Sequence, residues 1–169
     1  MPAIRLLLLL VLLALGGCGF QLRGQAELPP ELSRIFIQTS NPTRVTISPL
    51  GRALGSSLAA NGVSVVDSPE QADAVLRILD ENLNRRTLAT GPDGSTREYA
   101  LNYSVAYSLV GADDQVLLEP NRLTLTRDVL YDEADVLGRS EGEDIVLNDM
   151  ISDAAYSIIR RLQSLSVRG

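Results

Sequence analysis

Three groups of side chains have types and spacings that could do chemistry. The first is the thiol of Cys18, the only cysteine in the chain. The second is a set of two adjacent carboxylate pairs, Asp80-Glu81 and Asp113-Asp114, which could divide acid and base roles if they converged. The third is the cluster Asp132, Glu133 and Asp135, whose oxygens could hold a hard cation such as calcium. The acidic groups each meet an objection. Asp80 and Glu81 are neighbours in a predicted strand, so they point to opposite faces. Asp113 and Asp114 fall in a predicted turn, where carboxylates stay solvated. The third cluster lacks the EF-hand spacing and its turn glycine. No glycine-rich loop follows a strand and opens a helix, because Gly51 and Gly55 lie within a helical pattern. There is no histidine, so imidazole bases and imidazole or thiolate metal sites are excluded from the folded body. No catalytic constellation remains, and no metal or cofactor is expected.

Cys18 is different, because its surroundings explain it. Arg5 gives a short positive start, and Leu6 to Leu15 is a run of ten apolar residues. That run is too short to span a bilayer, which takes roughly 20 residues, and fits the core of a signal peptide. Leu15-Gly16-Gly17-Cys18 follows and resembles a bacterial lipobox. In such a box the thiol takes a diacylglycerol, and the amine freed by cleavage takes a further acyl chain. Several chains are needed because one alone anchors a protein only marginally. Residue 19 is Gly and not Asp, which by similarity to sorted lipoproteins favours the outer membrane.

Removing residues 1–17 from the 169 leaves 152, enough for one domain with an ordinary hydrophobic core. The net charge is −6, or −7 once Arg5 has left with a segment that holds no acid. An acidic chain without a basic stripe is a poor nucleic-acid binder, and no such partner is expected. All 15 basic residues are arginine.

The elements follow from punctuation and periodicity. Residues 18–33, with Gly19, Gly24, Pro29 and Pro30, are expected to be a lipidated N-terminus and tether. A single domain is expected over 34–165, with 166–169 as a tail. Ile35-Phe36-Ile37 predicts a first strand. Ser48-Pro49 opens a helix with an N-cap and a proline at its first position; Leu50, Leu54 and Leu58 give its apolar face, and Asn61-Gly62 stops it. Val63 to Val66 is a short strand. From Ala74 to about Leu88 a long strand is predicted, with Ala74, Leu76 and Ile78 on one face and Arg77 and Arg85 on the other. A hairpin at 90–95 follows. Tyr99, Leu101, Tyr103, Val105, Tyr107 and Leu109 then alternate with small or polar residues over eleven positions, the mark of a half-buried antiparallel strand. After a turn at Gly111–Asp114, the strand from Val116 is interrupted by Pro120, which predicts a bulge, a bend or an edge. Asp132 to Gly142 reads as an acidic loop. Ser140 and Glu143 have the spacing of a capping box, and a long amphipathic helix with Leu147, Ile151, Ala154, Ile158 and Leu162 on one face follows. Together these predict an α+β two-layer sandwich, with two helices on one face of a mixed, mainly antiparallel sheet of about four strands. The other face, with Asn102, Ser104, Ser108, Thr124 and Thr126, is polar but sparsely charged, as suits a surface that meets something.

Cys18-Gly19-Phe20-Gln21-Leu22-Arg23-Gly24, followed by Leu28-Pro29, resembles the start of the LPS-assembly lipoprotein family, LptE. The helix from Leu50 to Asn61-Gly62-Val63, the Glu98-Tyr99 strand opening, and the stretch from Glu143-Asp144-Ile145 to Ile159-Arg160-Arg161-Leu162 also fit. The resemblance implies an outer-membrane lipoprotein seated in the lumen of the LptD β-barrel, which it plugs and helps to assemble. It also implies assistance in inserting lipopolysaccharide into the outer leaflet, with both LptD and lipopolysaccharide as partners, the acyl chains in the membrane, and no catalysis. For lipopolysaccharide contact it points to Arg139, in the predicted loop before the last helix. The family's other basic position, at the 90–95 hairpin, falls at Pro92 or its neighbours here; Arg97, Arg86 and Arg85 flank it and could substitute. Arginine forks suit lipid A and core phosphates. A different class of function starts from the tyrosines: a stand-alone periplasmic lipoprotein that binds a glycan or small ligand in a pocket lined by Tyr99, Tyr103 and Tyr107.

Overall fold

The computed structural model describes residues 28–29, 32–39, 48–92, 94, 96–130 and 138–165, with the backbone alone at 96, 97 and 138–141. Its elements are β1 (Arg34–Thr39), α1 (Pro49–Ala60), β2 (Ser64–Val66), β3 (Ala74–Thr90), β4 (Thr96–Gly111), β5 (Val116–Leu130) and α2 (Gly138–Gln163), with a 3-10 turn at Pro69–Gln71. The start of α1 is fixed locally. The Ser48 hydroxyl accepts from the Gly51 N–H at 3.1 Å, and Pro49 has no N–H to leave unpaired. At its other end Gly62 takes φ +79°, a conformation that glycine adopts without a Cβ penalty.

One five-stranded sheet runs in the order β2-β1-β3-β4-β5. β1 is parallel to both β2 and β3, whereas the β3–β4 and β4–β5 pairs are antiparallel. The sheet therefore has one strand more than the expected four, because β2, only three residues long, is captured as a parallel edge by β1. Two of its register shifts matter most for the placement of side chains. Between the pairs Tyr107↔Asn121 and Leu109↔Leu118, β5 carries an extra residue beside Pro120, on a strand that is also the sheet edge. A residue with no N–H to donate fits there. Between Ile78↔Tyr107 and Asp80↔Ala106, β3 carries the extra residue Leu79. A bulge of one residue reverses the faces of everything beyond it. Ala74, Leu76 and Ile78 face the helices before the bulge; Glu81, Leu83 and Arg85 do so after it, each paired with a core-facing residue of β4. Arg85 thus lies on the same face as Ile78, not opposite it as simple alternation predicts.

Both helices cover one face, and the core lies beneath them. Leu50, Leu54 and Leu58 of α1 and Met150, Ala154, Ile158 and Leu162 of α2 are fully buried against Ile35, Leu76, Leu101, Val105 and Leu109. The core also reaches back into the stretch read as tether, since Leu28 and Leu32 are buried in the same cluster. The opposite face has two zones. At one end, Val66, Phe36, Val75, Val110 and Val116 align in register across all five strands as an apolar row. Beyond it the rows turn polar: Asp80, Ala106 and Arg122, then Asn82, Ser104 and Thr124, then Asn84, Asn102 and Thr126. Arg122 bonds Asp80 at 3.2 Å across the intervening strand, and Thr126 donates to Asn102 at 2.9 Å.

Candidate functional site

The polar side chains that tie α2 to the sheet gather at the hairpin end. Arg139 is the second residue of α2, so it opens the helix and does not precede it in a loop. Ser140 likewise lies within the first turn and is not the N-cap. The capping-box reading fails because Glu143 is engaged elsewhere. Its Oε1 accepts from Arg85 Nε at 2.8 Å and also from Arg85 Nη2, and its Oε2 accepts from the Tyr99 hydroxyl at 2.9 Å. One carboxylate therefore joins α2 to β3 and β4 together. The Glu143 side chain is 15% exposed and that of Arg85 63%. The hydrogen bond and the charge of Glu143 hold the Arg85 guanidinium above its ordinary pKa. Ten residues along, Asp153 accepts from Arg127 of β5 at 2.7 Å, a second polar tie.

The predicted contact residues do not form one cluster. Arg86 pairs with Ala100 on the helix-free face, so the sheet stands between it and α2. It is exposed and has no ion-pair partner among the described residues. Arg97 lies in β4 beside the irregularity between Ala89↔Glu98 and Thr90↔Thr96, on the arm that also carries Tyr99. Arg139 opens the helix tied to that arm. Arg85 is on the right face but already carries Glu143. Sequence reasoning gave Glu143 only a capping role; the signal for its tie to β3 was the change of apolar phase from Ile78 to Leu83. Cys18 lies outside the described residues.

The other candidates resolve simply. Asp80 goes to Arg122 on the bare face and Glu81 to Tyr103 on the helix face, so the pair does not converge. The Asp113 carboxylate accepts from the Gln115 N–H at 3.2 Å, which makes it a turn residue. Asp132, Glu133 and Asp135 lie outside the described residues; among the described ones, no three metal-ligating side chains meet. The tyrosine pocket is closed. Tyr99, Tyr103 and Tyr107 are 9%, 3% and 4% exposed and belong to the core. Burial, with the 2.7 Å bond to Glu81, pushes the Tyr103 phenol well above its usual pKa, so it stays a neutral donor. A hollow of about 250 Å³ near Leu28, Leu32 and Asn61 has no titratable group in its lining. No helix among the described residues is long and apolar enough to cross a membrane.

Two helices packed on one face of a mixed five-stranded sheet, with the other face left bare, define a two-layer domain of the α+β class. The LptE family model, described as lipopolysaccharide-assembly, matches residues 32–162, and the chain belongs to that family of LPS-assembly lipoproteins. It is similar to the LPS-assembly lipoprotein LptE of Yersinia enterocolitica, with 32% identity over 159 residues, 93% of this chain and 73% of the relative. It is also similar to that of Pectobacterium atrosepticum, with 30% identity, 95% of this chain and 85% of the relative. Among solved structures, an uncharacterized lipoprotein B from Nitrosomonas europaea superposes with TM-score 0.72 at 29% identity, over 89% of this chain and 94% of that one. The rare lipoprotein B of Shewanella oneidensis gives 0.64 at 26%, over 79% and 96%.

Proposed function

We propose that the chain is an outer-membrane lipoprotein, anchored through Cys18, that plugs and helps assemble the LptD β-barrel and assists insertion of lipopolysaccharide into the outer leaflet. Family membership over residues 32–162 carries the reading. The bare sheet face supports it, because its Asn, Ser and Thr rows suit the polar interior of an outer-membrane barrel. Burial of the three tyrosines counts against the stand-alone ligand-binding alternative, which needed them to line an open pocket. Co-expression with the barrel tests the partner: the two are expected to co-purify from detergent-solubilised outer membrane. Separate elution under mild detergent overturns the plug reading.

Within this function, Arg139 contacts lipopolysaccharide phosphate. Arg139→Glu is expected to weaken lipopolysaccharide binding by about 5- to 150-fold, the worth of roughly 1–3 kcal/mol for a charge-assisted contact. The fold survives the change, because an acid in the first turn of α2 has the sign the helix dipole favours. An unchanged Kd at moderate salt removes Arg139 from the contact.

A further inference from the structure

We propose that Glu143 is a positioning residue for the anion contact: through Arg85 and Tyr99 it fixes the opening turns of α2, and with them Arg139, against the hairpin arm that bears Arg97. The inference rests on the lipopolysaccharide reading of Arg139 given above. The opening of α2 has little to hold it by itself. Gly142 sits in its opening turns, and a glycine inside a helix weakens it relative to alanine. Asp144 and Ile145 are exposed, and the apolar seam joins the core only from Val146 and Leu147 onward. Ahead of that point, Glu143 is the one described side chain that is not exposed, and its two oxygens reach two different strands. Arg139 is four residues earlier in α2, about one helical turn before Glu143. Tyr99 is two residues along β4 from Arg97. One carboxylate therefore sets the spacing between the helix start and the hairpin arm. The tie at Asp153 is too far along the helix to do so.

The test uses the full lipoprotein in detergent, with two readouts: amide hydrogen exchange along α2, and affinity for purified lipopolysaccharide. Glu143→Gln is expected to speed exchange at residues 142–146 about tenfold, leave 150–162 unchanged, and weaken binding about fivefold. Glu143→Ala should do more. The charge swap Arg85→Glu with Glu143→Arg is expected to restore part of both, since it remakes the ion pair and loses only the Tyr99 acceptor. Unchanged exchange in Glu143→Gln and Glu143→Ala overturns the tie. Faster exchange with unchanged affinity, where Arg139→Glu does weaken binding, overturns the positioning role and leaves the parent reading standing. Unchanged affinity in Arg139→Glu overturns the parent reading and the positioning role with it, whatever the exchange shows.

Discussion

Ile158→Ala is expected to lower the unfolding midpoint by about 6–12 °C and to cost roughly 3 kcal/mol, with the denaturant slope unchanged. Ile158 is fully buried in the stripe that Met150, Ala154 and Leu162 continue along α2. Ala154 and Ala155 are buried beside it, so the helix has little further side chain with which to close a gap. Removing three side-chain carbons there, one methylene and two methyls, leaves a cavity between α2 and the central strands, and a site that relaxes poorly keeps most of the cavity's cost. A domain of this size is stable by roughly 5–15 kcal/mol, so the loss is a large fraction of the whole. Tyr156 provides the contrast within the same helix. It is 63% exposed, and Tyr156→Ala should change stability by no more than about 0.5 kcal/mol. Equal losses at the two positions would mean that α2 is not seated by this stripe. Thermal and urea unfolding of the two variants decide it.

What the sequence made legible was whatever local chemistry settles. Ser48-Pro49 and Asn61-Gly62 bound α1 because capping, a missing N–H and a positive φ are properties of those residues alone. The alternation from Tyr99 to Leu109 is uninterrupted, so β4 and its buried face follow directly. Pro120 announces its bulge because no other residue lacks the donor. The misreadings concern partners distant in the chain. The Leu79 bulge has no proline or glycine to mark it, and it moves Arg85 to the helix face. That move then gives Glu143 a partner 58 residues away, stronger than the local cap that the Ser140-Glu143 spacing suggested. The candidate site inherits both errors. Arg139 comes from sequence similarity and Arg97 from its place beside the hairpin, whereas the tie that relates them depends on a register shift visible only in the folded sheet.

The largest functional effect is expected from removing the lipid without touching the domain. Changing Cys18 alone is a poor test, because it also disturbs signal processing and can leave the apolar segment attached. The clean version replaces residues 1–18 with an ordinary secretory signal cleaved before Gly19. Expressed without LptD, this acyl-free protein is expected to move wholly from the membrane to the soluble periplasmic fraction, while the lipidated form stays with the membrane. The size of the shift follows from acyl-chain energetics. Each buried methylene is worth about 0.8 kcal/mol, and two or more chains make release negligible. The described domain has far less apolar surface to offer: the main stripes of its helices are spent on the core, and its open apolar side chains, Leu130 at 82%, Tyr156 at 63% and Ile145 at 62% the most exposed, are single residues set against whole acyl chains. Expressed with LptD, the same acyl-free protein is expected to return to the membrane fraction and co-purify with the barrel. That pair of results separates two kinds of attachment, the lipid holding the protein to the bilayer and the barrel holding the folded domain. Acyl-free protein that stays soluble beside abundant LptD would reverse their weight and make the lipid the main hold. Acyl-free protein that remains membrane-bound without LptD would instead show that the domain carries a membrane-binding surface of its own.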